Sequence, residues 1–65
     1  MTTDEAIKFI SDHDFSITLE LDKDGATGDL QDNENSLYVL ECGKPKKLAT
    51  ILKEMVAKVK ELRNL

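Results

Sequence analysis

Cys42 and His13 are the only cysteine and the only histidine in this 65-residue chain, so they are the one pair that could act as thiolate and imidazole base. Such a pair needs hydrogen-bond contact and a third group to orient the base, and sequence spacing supplies neither. Cys42 stands just before an expected helix start and close to Lys44, surroundings that lower a thiol pKa. It also alternates with Tyr38 and Leu40, as a small core residue would. His13 lies among Ser11, Asp12 and Asp14 and reads as a surface residue ending a helix. Neither residue is assigned a catalytic role, and the chain is expected not to be an enzyme.

Oxygen chemistry is more abundant. The segment Asp22-Lys23-Asp24-Gly25-Ala26-Thr27-Gly28-Asp29 shares its first and third ligand positions with an EF-hand calcium loop. Counting from Asp22, however, the fifth position is Ala26, the sixth is Thr27 and the twelfth is Asn33, where that loop needs a ligand, a glycine and a bidentate acid. Asp22, Asp24, Asp29, Asp32 and Glu34 fall in two turns read as neighbours, close enough to hold a hard cation weakly. Solvated turn acids are the preferred reading, and no metal or other cofactor is expected.

A third set, Lys44, Lys46 and Lys47, flanks Pro45 at the expected start of the last helix. Helix starts carry partial positive charge from unpaired amides, so lysines there oppose the local field unless an anion offsets them. A bound phosphate would do so. The acidic turns of this chain, or of a second subunit, would do so equally, and that pairing is preferred. No glycine-rich phosphate loop accompanies the lysines.

The charge distribution frames these sets. Residues 1–43 carry Lys8 and Lys23 against eleven acids, a net charge of −9. Residues 44–65 carry seven basic residues against Glu54 and Glu61, a net of +5. Either end could steer a partner. Nucleic-acid binding through Lys46, Lys53, Lys60 and Arg63 is disfavoured, because the whole chain is at −4 and only Phe9, Phe15 and Tyr38 could stack on a base. In the opposite sense, carboxylates at Asp12, Asp14, Glu20, Asp22, Asp24, Asp29, Asp32 and Glu34 would suit, in number, imitation of a phosphate backbone in a basic cleft.

Positioning these residues falls to five elements. Thr2 and Glu5 have capping-box spacing, and Ala6, Ile7, Phe9 and Ile10 form the apolar stripe of a short helix. Phe15-Ser16-Ile17-Thr18-Leu19-Glu20-Leu21 alternates strictly, the period of a half-buried strand. Asp22-Lys23-Asp24-Gly25 reads as a turn, Ala26–Gln31 as a weak strand, and Asp32-Asn33-Glu34-Asn35 as a second turn. Ser36–Cys42 reads as a third strand with two apolar faces, hence central or covered on both sides. A long helix follows from Pro45 to Asn64, its stripe built on Leu48, Leu52, Met55, Val59 and Leu62. The expected fold is α+β: a single-layer antiparallel meander of two or three strands with both helices packed on it, in one domain spanning residues 1–65.

Such a chain has room for one modest core. Ile51 and Val56 widen the last helix's stripe, and with Leu62 they lie toward its edges, beyond what a small sheet should cover, which points to a homodimer or a protein partner at that face. The partner-binding residues are therefore expected to be Ile51, Val56 and Leu62 with the acidic turns Asp22, Asp24, Asp29, Asp32 and Glu34. The alternative is an anion-, nucleic-acid- or cation-binding module using Lys44, Lys46 and Lys47 or the turns. The longest apolar run, Leu37-Tyr38-Val39-Leu40, is far too short to span a bilayer. No membrane role is expected, and a lone thiol behind an acidic N-terminus suits the cytoplasm. Together these features suit a small non-enzymatic interaction module, an accessory or inhibitor protein of the kind phages encode.

Overall fold

The capping box forms as its spacing predicts. Thr2 Oγ1 accepts from the Glu5 amide at 3.2 Å, and Glu5 Oε1 accepts from the Thr2 amide at 2.8 Å. This satisfies two amides that a helix start leaves unpaired. The helix so begun, α1, runs Thr3–Asp12 in a computed structural model that describes all of residues 1–65. It buries Ala6 and Ile10, one turn apart on its inner side. His13 closes it, and Asp14 turns the chain through a left-handed conformation (φ 63°) into the first strand.

Three strands follow: β1 (Phe15–Asp22), β2 (Gly25–Asp32) and β3 (Leu37–Lys46), before helix α2 (Leu48–Arg63). The order is α-β-β-β-α, and the sheet is an antiparallel meander with β2 in the centre. β1 and β2 pair without interruption from Phe15 opposite Asp32 to Asp22 opposite Gly25. The weakly patterned second strand is thus complete, because backbone pairing on both sides outweighs its poor side-chain propensity. Its Gly28 is required by packing, since a Cβ there would strike the Thr18 carbonyl oxygen and come within 2.9 Å of Leu19 Cδ2.

The third strand departs from expectation in two ways. It is an edge strand, not a central one, and Leu37 and Tyr38 are 60% and 61% exposed. It also runs on to Lys46, so α2 starts at Leu48 with Lys47 as its N-cap, not at Pro45. Pro45 falls where the ladder is irregular, between the Gly28–Cys42 and Ala26–Lys46 pairs, and there its missing amide is harmless. Close approach of Gly25 to Lys46 anchors the extension. A Cβ on Gly25, which has φ 130°, would lie 2.6 Å from the Lys46 carbonyl oxygen.

Both helices lie on one face of the sheet, α1 against β1 and α2, and α2 against β2 and β3. The core between the layers contains Ala6, Ile10, Phe15, Ala26, Leu30, Cys42, Ile51, Leu52, Met55, Val56 and Val59. Ile17, Leu19, Val39, Leu40 and Leu48 pack partly against it. Of the four alternating apolar residues of β1, Leu21 is beyond this cover and 64% exposed. The opposite sheet face has nothing over it.

With so small a core, single truncations should be severe. Leu30→Ala or Met55→Ala should each cost about 2–5 kcal/mol, comparable to the ~3–5 kcal/mol such a domain commonly has. Thr2→Ala should cost about 1 kcal/mol through the lost cap. Urea titration followed by circular dichroism would check the order of these effects.

Candidate functional site

The thiol and the imidazole are not brought together. Cys42 pairs with Gly28 in mid-sheet, whereas His13 lies at the end where Asp14 bonds Asn33. Five strand residues separate those levels, about 16 Å. His13 Nδ1 faces the Phe9 carbonyl oxygen at 2.6 Å, so that nitrogen carries the proton and donates it. Cys42 is buried, and its Sγ donates to Glu54 Oε2 at 3.7 Å. Burial first, and then the Glu54 carboxylate, push the thiol pKa up, while Lys46 offsets this only in part. The thiolate-favouring surroundings expected of Lys44 and a helix start do not govern the thiol: α2 begins only at Leu48, and the sulfur's hydrogen-bond partner is a carboxylate.

The two acidic turns lie at opposite ends of β2, roughly 23 Å apart at strand spacing, so they do not share a cation. In the β1–β2 turn, Asp22 Oδ1 accepts from the Asp24 amide at 2.8 Å, an Asx turn. In the β2–β3 turn, Asp32 Oδ1 accepts from the Glu34 amide at 3.1 Å and Asp32 Oδ2 accepts from Asn35 Nδ2 at 2.9 Å. No three of the chain's His, Cys, Asp and Glu side chains are placed to hold a metal ion together.

Asp32 is not a surface acid at all. It is 3% exposed and receives a two-pronged contact from Arg63, with Nη2 to Oδ1 at 2.8 Å and Nη1 to Oδ2 at 3.2 Å. The same Nη2 donates to the His13 carbonyl oxygen at 3.2 Å and lies 3.3 Å from Glu34 Oε2. The guanidinium also sits 4.3 Å above the Phe15 ring. Arg63 holds the Asp32 carboxyl well below the usual carboxylate range, helped by Asn35 and the Glu34 amide. Asp32 is therefore committed to structure and is removed from the partner-binding set, whereas the Glu34 side chain, 58% exposed, only shares Arg63.

The lysines at the helix start are divided. Lys46 Nζ binds Glu54 Oε1 at 2.9 Å, so its partner is an acid of α2 and not of a turn. Lys44 and Lys47 are exposed, and the α2 N-cap makes no side-chain cap bond. On α2 itself, Ile51 and Val56 are core residues, which corrects their assignment to a spare face. The stripe is wide because α2 meets the sheet and α1 at once. Only Leu62, 41% exposed, remains available to a partner.

What the fold does assemble is a set of acids on the uncovered sheet face. Asp29 stands directly opposite Thr18 on one side and Glu41 on the other. Glu20, opposite Thr27, is its diagonal neighbour on β1. Directly opposed side chains have Cβ atoms about 4.5–5.5 Å apart, and diagonal ones about 7–8 Å, so three carboxylates share one small area. None of the five salt bridges involves them. Asp22 and Asp24 extend the acidity at one end. Strand alternation marks Ser16, Thr18 and Glu20 as a polar face, but Glu41 could not be assigned by alternation. An extra residue near Val39, between the Leu30–Leu40 and Gln31–Tyr38 pairs, changes the parity of β3.

Two hollows are present. One of about 400 Å³ lies between the helices over Ala6, Leu52 and Val56 with Lys53 and Lys60 beside it. The other, about 350 Å³, lies beside Cys42, Lys46 and Glu54. Neither brings a free base to a free nucleophile. No helix is long and apolar enough to cross a membrane. Comparison with protein-family models, curated proteins and solved structures found no match for the chain.

Two measurements check the electrostatics. The folded Asp32 carboxyl titrates below its unfolded value of about 3.9, so its stabilisation is present above that pH and is lost as pH falls further. Thermal midpoints should therefore drop steeply from about pH 4 downward, and Asp32→Asn should flatten that limb. Arg63→Lys keeps the charge but not the fork, and should lower the midpoint at pH 7 on the order of 10 °C. Lys8→Ala, which removes an exposed pair with Asp12, should barely change it. Separately, Cys42 should react with iodoacetamide at least about tenfold more slowly in the native state than in denaturant at neutral pH.

Proposed function

We propose that this chain is a non-enzymatic protein-binding module whose working surface is the acidic, uncovered face of its sheet, and that its partner presents a basic surface. The supporting observation is the pairing of Asp29 with Glu41. Like charges directly opposed across strands destabilise a sheet, and neither carboxylate is in a salt bridge. Elsewhere in the same small protein acids are matched: Asp32 and Glu34 by Arg63, Glu54 by Lys46, Asp12 by Lys8 and Glu61 by Lys58. Two carboxylates set face to face across the sheet without a paired base, in a protein that pairs five other acids, are a local conflict of the kind a binding surface imposes. A basic partner would supply the missing cations, steer encounter at long range and fix the register of docking.

Tyr38 lies on the same face, opposite Gln31, and is largely exposed. An exposed tyrosine beside carboxylates joins an apolar ring to a polar tip, a combination favoured in protein interfaces. Asp22, Asp24 and Asp29 keep the partner-binding role read from the sequence, now joined by Glu20, Glu41 and Tyr38.

The reading separates stability from function. Glu41→Lys converts a repulsive cross-strand pair into an attractive one, so its thermal midpoint should rise by roughly 1–5 °C. The same change, and more so the Asp29→Lys/Glu41→Lys double variant, should abolish retention of the partner from an extract of the source organism. Retention by the unaltered protein should fall with added salt. Equal retention by the double variant, or no salt-sensitive retention by either protein, would overturn the reading.

A further inference from the structure

The two edges of the sheet are treated differently. A free edge strand offers unpaired backbone groups, and proteins commonly blunt such edges with bulges, prolines and lysines. β3 has all three: a bulge near Val39, an irregular stretch over Gly43-Lys44-Pro45, and Lys44 and Lys46. β1 has none. Its eight residues pair with β2 in one unbroken register, and the strand contains neither proline nor lysine.

The backbone groups that β1 turns outward can be identified. The Asn33 amide donates to the Asp14 carbonyl at 3.0 Å, and inward bonding recurs at every second residue of an antiparallel ladder. Residues 16, 18, 20 and 22 therefore bond to β2, while Ile17, Leu19 and Leu21 present their amides and carbonyls to the free edge. On the helix side this edge is apolar. Leu21 is exposed, Ile17 and Leu19 are half-buried, and Ile7 lies on the flank of α1 away from α2. That flank follows from Phe9, which faces Lys60 of α2 and is about 160° from Ile7 around the helix. On the open side the edge is acidic, with Glu20 and Asp22 on β1 and Asp29 behind them.

We propose that the free edge of β1 accepts an extended segment of a partner protein as a fourth strand, and that this segment alternates apolar with basic residues. The proposal rests on the acidic-face reading and names its mode of engagement. An added strand would bond to Ile17, Leu19 and Leu21 through its backbone and lay alternate side chains on the two faces. Apolar residues would cover Leu21, Leu19 and Ile7, and lysines or arginines would stand beside Glu20 and Asp22. A second copy of this chain is a poor occupant, because its β1 would bring the same carboxylates to the same edge.

The probe is the blocked peptide Lys-Val-Lys-Val-Lys-Val-Lys-Val, titrated into the isotope-labelled chain, with Glu in place of Lys as the control. Amide shifts should centre on Phe15–Asp22, and exchange of the Ile17, Leu19 and Leu21 amides should slow by at least about tenfold at saturation. Leu21→Pro removes one outward amide at an exposed edge position and should weaken binding about tenfold, whereas Leu21→Ala, which keeps that amide, should weaken it by less than about threefold. The acidic peptide should leave the spectrum unchanged. Shifts confined to Asp29, Tyr38 and Glu41, with no protection on β1, would overturn strand addition while leaving the acidic-face reading intact. Protection on β3, equal binding of the acidic peptide, or concentration-dependent protection of β1 without peptide would also overturn it. Absence of any response to the basic peptide at millimolar concentration, together with retention of a protein partner that Asp29→Lys/Glu41→Lys abolishes, would reject the strand mode alone. Absence of both would reject the two readings together.

Discussion

Arg63 is the clamp on which the rest of the architecture depends. Its guanidinium, in the last turn of α2, reaches the buried Asp32 at the end of β2, the carbonyl of His13 at the end of α1, and the ring of Phe15 at the start of β1. One side chain thereby ties both helices and two strands at a single end of the molecule. Buried charge pairs give no guaranteed net stability, since desolvation offsets their attraction. Their effect here is geometric: a planar fork satisfied on both prongs admits few alternatives, and so fixes where α2 lies along the sheet. Asn64, in a left-handed conformation with φ 58°, closes the helix immediately after the clamp.

Fixing α2 in this way uses its apolar stripe except for Leu62. Ile51 and Val56 go into the core, since the helix has the sheet beneath it and α1 beside it. With both helices on one side, the other sheet face is left to water and can be wholly polar. That asymmetry lets eleven acids in the first two thirds of the chain be sorted into two groups. Some are consumed in capping and clamping, as Glu5 and Asp32 are. Others, including Glu20, Asp29 and Glu41, are left together outside any salt bridge. The proposed function and its strand-addition mode both grow from this second group.

Cys42 shows how far environment can reverse a local reading. In sequence it stands close to lysines and to a helix start, which favours a thiolate. In the fold it is core-facing, bonded to Glu54, and its proton is held more tightly than in water. The reversal follows from four further residues of strand beyond Cys42. Because β3 continues to Lys46, α2 begins only at Leu48, and the sulfur's hydrogen-bond partner is a carboxylate of that helix.

Short-range physics was legible in the chain itself. Thr2 and Glu5 announced the first helix, the alternation of Phe15 through Leu21 announced β1, and the 3.6-residue stripe announced α2, because capping, pleating and helical periodicity each involve residues only a few positions apart. The element order, and hence the α+β fold, follow from these local signals. Tertiary structure alone decided the rest: that β3 is an edge and continues past Pro45, that Arg63 captures Asp32 thirty-one positions away, that the two acidic turns lie far apart, and that Glu41 joins Asp29. Each of these depends on register or on a bulge, where a shift of one residue sends a side chain to the opposite face, and no local pattern encodes that choice.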